Sequence, residues 1–236
     1  MLPTTESIIT KLKALQNEQR RTMAMRNFPT KLEIIGVTSP DIKKTVKETI
    51  AKTNEYSIAS KKELVWDLLQ TNYHECHHLA YHFLEQEKKT LDALTAKECK
   101  SYAVCIDNWV LSDTYSTFIL GVLWRNGRIT DEYINQLANG DDVWKKRCAL
   151  VSTVALNQKA RGGTGDVPRT IAHCKKAVAD KRSMIVKALS WALRVLIQHD
   201  STAVKNFLNN YENELHNQVK REVTNKLKSG LKNPKN

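Results

Sequence analysis

The sequence predicts an all-α chain of stacked helix pairs, an α-solenoid of HEAT type, on three observations. Across 236 residues there are only eight glycines and five prolines, and alternating β-branched runs are almost absent. Apolar residues recur three and four apart through most of the length. The helical stretches are short, are joined by short turns, and pair with a rough repeat of about 35 to 45 residues, as helix-pair arrays do. Such a stack would form one domain over residues 1–228, with 229–236 as a frayed tail. The polar faces of alternate helices would line a concave, basic groove.

The elements follow in order. Residues 4–26 open with TTES, an acidic first turn, hold Ile8, Leu12 and Leu15 at helical spacing, and carry Arg20, Arg21 and Arg26 toward the end. NFPTKLEIIGVTSP is the longest loop-like stretch. Ser39 reads as the N-cap and Pro40 as the first residue of a helix over 40–54. Helices then span 60–70, 73–87 and 95–104, followed by a regular helix over 105–124, CIDNWVLSDTYSTFILGVLW. Segments 129–139 and 142–159 make the next pair, which the flexible loop ARGGTGDVP closes. Pro168 opens a short helix, 181–199 is a long amphipathic one, and 201–210 and 215–228 complete the array.

Two helices carry chemistry off their core stripe. In 105–124 the apolar stripe is Leu111, Tyr115, Phe118 and Val122, while Trp109 and Asp113 stack one turn apart on the other face, joined by Ser116 and Thr117. In 181–199 the stripe is Ile185, Val186, Leu189, Ala192, Leu193 and Leu196. Opposite it lie Met184, Lys187, Trp191, Arg194 and Gln198, which puts a flat ring between two cations, a surface suited to a sugar, a base or a phosphate backbone. Each Trp can equally fill a contact with the neighbouring helix. Arg147 sits among Val143, Leu150, Val151 and Val154 and therefore needs a partner, either an acidic group of the adjacent repeat or a phosphate.

Other patterns exclude more than they assign. His74-Glu75-Cys76-His77-His78 satisfies the HExxH pattern of zinc peptidases. Its flanks are poor, however, and a polar helix face is the better account, so no metal is expected. No Gly-rich phosphate loop or nucleophile elbow occurs. The five cysteines are scattered and without CxxC spacing, which reads as small core residues in a reducing compartment. No signal peptide or membrane span is evident, so a soluble intracellular protein is expected, cytoplasmic in a bacterium or nuclear in a eukaryote. Thirty-seven Lys and Arg against 25 Asp and Glu leave a net charge of +12, which favours a polyanionic partner, nucleic acid first.

The ordered set of these segments resembles the HEAT-like alkylpurine DNA glycosylases of the AlkD family over nearly the whole chain. GVTSPDIKK is similar to that family's Gly-x-x-Thr-Pro segment, with Ser39 standing for the Thr, and LVWDLLQTNYHECHHLAYHFL to its Leu-Trp-x-Leu helices. Trp109 with Asp113, WKKRCAL around Arg147 and KALSWALR around Trp191 fall in the family's order. Where the family often has Trp-Trp-Asp-x-x-Asp, this chain has Asn108-Trp109-Val110-Leu111-Ser112-Asp113. The resemblance implies a monofunctional, cofactor-free glycosylase that releases cationic 3- or 7-alkylated purines from double-stranded DNA without flipping the base, acting as a monomer away from membranes. It implies Asp113, Trp109 and Trp191 as catalytic residues. Arg147, Lys146, Lys187, Arg194, Ser39, Lys43 and Lys44 are the expected DNA contacts. A silent DNA-structure binder on the same scaffold and a HEAT-type protein scaffold are the rival readings.

Overall fold

A computed structural model describes residues 4–234. Within the described residues the fold is all-α, with only an isolated bridge between Glu33 and Tyr73 outside the helices. The all-α, solenoid-like expectation is met, with successive helices packed as neighbours within each compact unit. No helix among these residues is long and apolar enough to cross a membrane. The chain divides into two compact units, Met1–Ile119 and Leu120–Asn236.

The first unit holds α1 (Thr5–Ala14), α2 (Glu18–Asn27), α3 (Ser39–Lys52), α4 (Ile58–Leu69), α5 (His74–Gln86), α6 (Lys88–Asp92), α7 (Ala96–Ser101) and α8 (Trp109–Tyr115). Helix α5 packs against α3, α4 and α8, and α1 packs on α3 and α4. Ile8, Leu12, Val46, Leu68, Leu79 and Leu84 are among the side chains this arrangement buries.

The second unit holds α9 (Gly121–Arg125), α10 (Asp131–Asn139), α11 (Val143–Asn157), α12 (Val167–Lys176), α13 (Ser183–Leu196), α14 (Ser201–Asn210) and α15 (Asn217–Ser229). Helices α9, α11, α13 and α15 are successive neighbours, α10 packs on α11, α12 on α11 and α13, and α14 on α13. The whole predicted stripe of α13 lies in the core between them, from Ile185 to Leu196.

Three local expectations are corrected. The N-terminal helix is two helices, because Asn17 takes an extended conformation and its side chain accepts from the Arg20 N–H at 2.8 Å, capping α2. The cap of α3 is Thr38, whose hydroxyl accepts from the Asp41 N–H at 3.3 Å and donates to its carboxylate at 2.6 Å. Ser39 and Pro40 are therefore the first two helical residues. The stretch 105–124 is no regular helix: α8 passes into a π-helical segment, Ser116–Leu120, before α9. Ser116 and Thr117 at its start are buried, and the Thr117 hydroxyl donates to the Asp113 carbonyl at 2.7 Å.

Smaller departures concern the short helix α6, which the sequence pattern does not announce, and the glycine-rich loop. Gly165 N–H bonds to the Leu156 carbonyl at 3.0 Å and Asp166 N–H to the Asn157 side chain at 2.9 Å, so the glycine-rich loop is stitched to the end of α11. At the C-terminus Lys232 lies 3.2 Å from the buried Glu222 carboxylate. Residues 235 and 236 of the expected tail lie outside the described residues. Cys76, Cys99, Cys148 and Cys174 are buried as expected, whereas Cys105 is exposed.

Candidate functional site

A cavity of about 330 Å³ opens in the first unit, and Trp109 and Asp113 form one wall of it. Their placement begins with the turn before α8. Cys105 stands at φ 51°, in the left-handed region that side chains rarely take. Two residues on, Asp107 accepts from the Thr30 hydroxyl and the Lys31 N–H, each at 2.6 Å, and ties this turn to the loop after α2. Burial alone would raise the Asp107 pKa, but these hydrogen bonds and that of Asn108 hold it lowered. Asn108, where the resemblance leads one to expect Trp, caps α8 by accepting from the N–H groups of Val110 (3.0 Å) and Leu111 (3.1 Å).

Trp109 then lies edge-on to Phe28, with ring centroids 6.0 Å apart, and donates from Nε1 to the Asn27 carbonyl at 3.2 Å. These contacts fix the ring while leaving 39% of the residue exposed. Asp113, one turn on, is half-buried. The floor is made by α5. His74 is buried, stacks on Phe28 at 4.9 Å, and has an Nε2 without a hydrogen-bond partner; its pKa is lowered chiefly by burial. Glu75 is engaged with backbone, accepting from the N–H groups of Ile35 (2.9 Å), Gly36 (2.7 Å) and Val37 (3.3 Å). That accounts for the acidic residue of the HExxH pattern without a metal, and no three His, Cys, Asp or Glu side chains among the described residues converge as a ligand set.

The remaining rim is polar and basic. Ser39 lines the cavity from the start of α3, and Arg20 lines it from α2. Lys43 and Lys44, on the next turn of α3, are exposed. Gly36 holds this side in place. At φ +94° it lies against the α1–α2 junction so closely that a Cβ would meet the Asn17 carbonyl oxygen at 2.5 Å and Arg21 at 2.8 Å.

The other expected site residues belong to the second unit, and several are spent on its packing. Arg147 is buried, and its guanidinium donates to the Met184 carbonyl at the start of α13. Lys146 lies 3.6 Å from Asp180, which Arg182 also binds. Trp191 is half-buried against the core. Arg194 donates through Nε to Ser190 Oγ at 3.1 Å, and that hydroxyl donates to the buried Glu222 at 2.6 Å. Burial lowers the Arg194 pKa. Lys187 is exposed.

Of the expected residues, then, Trp109, Asp113 and Ser39 share one cavity. Arg20, Phe28, His74 and His78 line it too and were not foreseen as site residues. The i, i+4 spacing of His74 and His78 is visible in the sequence, but there it matches only a zinc pattern.

Residues 8–227 match the sequence family described as DNA alkylation repair enzyme. The chain belongs to that family. A solved structure described as a predicted DNA alkylation repair enzyme from Enterococcus faecalis matches with a TM-score of 0.69 over 91% of this chain and 97% of that one, at 16% identity. At that identity the likeness concerns the fold. No curated protein sequence matches the chain. Membership of the family makes DNA repair, and action on DNA, the setting in which the cavity is to be read.

Proposed function

We propose that the protein is a monofunctional DNA glycosylase that hydrolyses the N-glycosidic bond of cationic 3- or 7-alkylated purines in duplex DNA, as a monomer and without flipping the base. The observation that carries the reading is the pairing, on one wall of an open cavity, of the Asp113 carboxylate with the fixed and exposed ring of Trp109. Alkylation at those positions makes the purine a cation and its bond to the sugar weak, so the leaving group needs no protonation. What remains is to stabilise an oxocarbenium-like sugar and to position water. A carboxylate beside the sugar does the first electrostatically, and an indole face attracts the developing positive charge.

Arg20, Lys43, Lys44 and Lys187 hold the phosphate backbone in this reading. Ser39 hydrogen-bonds to it. Arg147, Lys146 and Arg194 are assigned chiefly to the second unit, on the internal bonds given above. Trp191 is assigned to the same substrate through the part of its ring that the core leaves open.

The test is release of 7-methylguanine and 3-methyladenine from methylated duplex DNA, in chelator, by the wild type and Asp113→Asn. The expected result is release by the wild type and a fall of about 100-fold or more in the variant, with DNA affinity kept. Equal release by the variant sinks the role of Asp113. Salt-sensitive duplex binding without release by the wild type would make the protein a non-catalytic DNA-structure binder, and the absence of both would leave a protein scaffold.

A further inference from the structure

Base release uses neither of the two histidines that line the cavity, His74 and His78. His78 lines the same space as Asp113. It is the middle ring of a ladder along α5, with centroids 6.2 Å from His74 and 4.7 Å from His82. Of the rings around it, His74 is buried in its stack on Phe28 with Nε2 unbonded, His77 Nε2 sits 3.0 Å from the Thr71 carbonyl, and His82 Nδ1 lies 3.0 Å from Glu85. The His78 ring makes ring contacts and no side-chain hydrogen bond among the described residues. It is a half-buried imidazole that lines an open cavity.

Its surroundings keep it neutral. Burial, then His82 and His74 on its own helix, then Lys43 from α3 and Arg20 from α2, push its pKa well below the usual histidine value. Helix α8 contributes Asp113 to the same cavity. The lysines of α4, Lys61 and Lys62, are engaged with Glu87 and Glu98, and Lys88, Lys89 and Asp92 of α6 are exposed. Glu75 is held by its three backbone N–H donors.

Hydrolysis of the lesion liberates one proton, from the attacking water. A carboxylate that stabilises the sugar cation acts best when it stays ionised through the step, which calls for a second base. We propose that His78 is that base, holding the attacking water opposite Asp113 and accepting its proton. The water oxygen bonds to C1′ as the C1′–N bond breaks. The bonding pair leaves with the purine and cancels its positive charge, and the water proton passes to the free imidazole nitrogen. The products are a neutral alkylpurine, an abasic sugar and an imidazolium facing the ionised Asp113.

The assignment rests on the base-release reading, and one experiment separates the two. Single-turnover release of 7-methylguanine from methylated duplex DNA is followed across the acid and neutral range for wild type, His78→Gln and Lys43→Gln. His78→Gln should lose about 100-fold at neutral pH with unchanged duplex affinity, and should lose the acid limb of the wild-type profile. Lys43→Gln removes a positive charge beside the ring, so its acid limb should move to higher pH. A wild-type rate and profile in folded His78→Gln overturns the proposal. If that variant does not fold, an acid limb unmoved in Lys43→Gln overturns it instead. No release by the wild type at any pH overturns the base-release reading and this assignment with it.

Discussion

Helices α8 and α13 carry the same sequence signal, a tryptophan and a charged residue set off the apolar stripe, and the fold treats them in opposite ways. In the first unit Trp109 is pinned at its edges by Phe28 and Asn27 and opens its ring to a cavity that Asp113 shares. In the second unit Trp191 leans on the core, and Arg194 enters a buried chain through Ser190 to Glu222. An aromatic and a charge on a polar face are thus a necessary signal of a site and not a sufficient one. What separates the two cases is where the ring lies, against a cavity in α8 and against the core in α13, which depends on residues far away in sequence.

The sharpest break of this contrast compares the two tryptophans. Trp109→Ala should lower base release by about 100-fold while the melting midpoint stays near wild type, because the ring is substantially exposed. A midpoint that collapses with activity per folded molecule intact would make Trp109 a packing residue like its counterpart.

Substitution at Gly36 tests the frame behind the cavity. Gly36→Ala should cost about 3 kcal/mol in denaturant unfolding, from the clash with the α1–α2 junction and the positive φ. Wild-type stability would mean that the loop is free to withdraw.

The second unit should show its own acid sensitivity at His173. Burial, then Lys176 and Arg169 against the opposing pull of Asp131, lower its pKa from 6.5 to about 4. The neutral ring is therefore favoured by folding. Its contribution is complete above pH 6.5 and is lost as pH falls toward the folded value of about 4, at about 1 kcal/mol per pH unit. His173→Gln should flatten that part of the stability curve, and an unchanged slope would remove His173 from the account.

Arg147→Ala should cost about 2 kcal/mol, since it leaves the Met184 carbonyl without its charged donor. Release per folded molecule should be near wild type. A weakened, less salt-sensitive duplex affinity at full stability would instead return Arg147 to the phosphate backbone. The smallest effect is expected for Trp191→Phe, at about 1 kcal/mol, together with a modest fall in release. Unchanged release would confine Trp191 to packing.

Much of the fold was legible in the sequence. The period of Ile185 to Leu196 predicted the buried stripe of α13 without error, and 201–210 was read to the residue. The failures share a cause. The break at Asn17 is invisible to periodicity because Ile8, Leu12 and Leu15 continue a plausible helix, and only the Gly36 loop packed against Asn17 reveals it. The π-helical segment adds a residue to a turn whose letters, Ser116 to Leu120, are ordinary helix formers. Within the site, Trp109 and Asp113 were legible because they violate the stripe. Arg20 and His78 were not, because a basic residue near a helix start and a polar ring on a mid-chain helix look like solvated surface until α2 and α5 are seen to face one cavity.

The three backbone N–H groups gathered by Glu75 have a consequence for how this chain tolerates change. His74-Glu75-Cys76-His77-His78 looks like one motif, yet a saturation library would read it as two overlapping messages. A screen for soluble expression should reject Gln and Asp at Glu75, since neither places two acceptor oxygens at the 35–37 loop, and should be indifferent to many residues at His78. A screen for survival under methylating stress should show the reverse preference at His78. Neighbouring letters of one pentapeptide would then be retained for unrelated reasons, one for the shape of a loop and the other for chemistry.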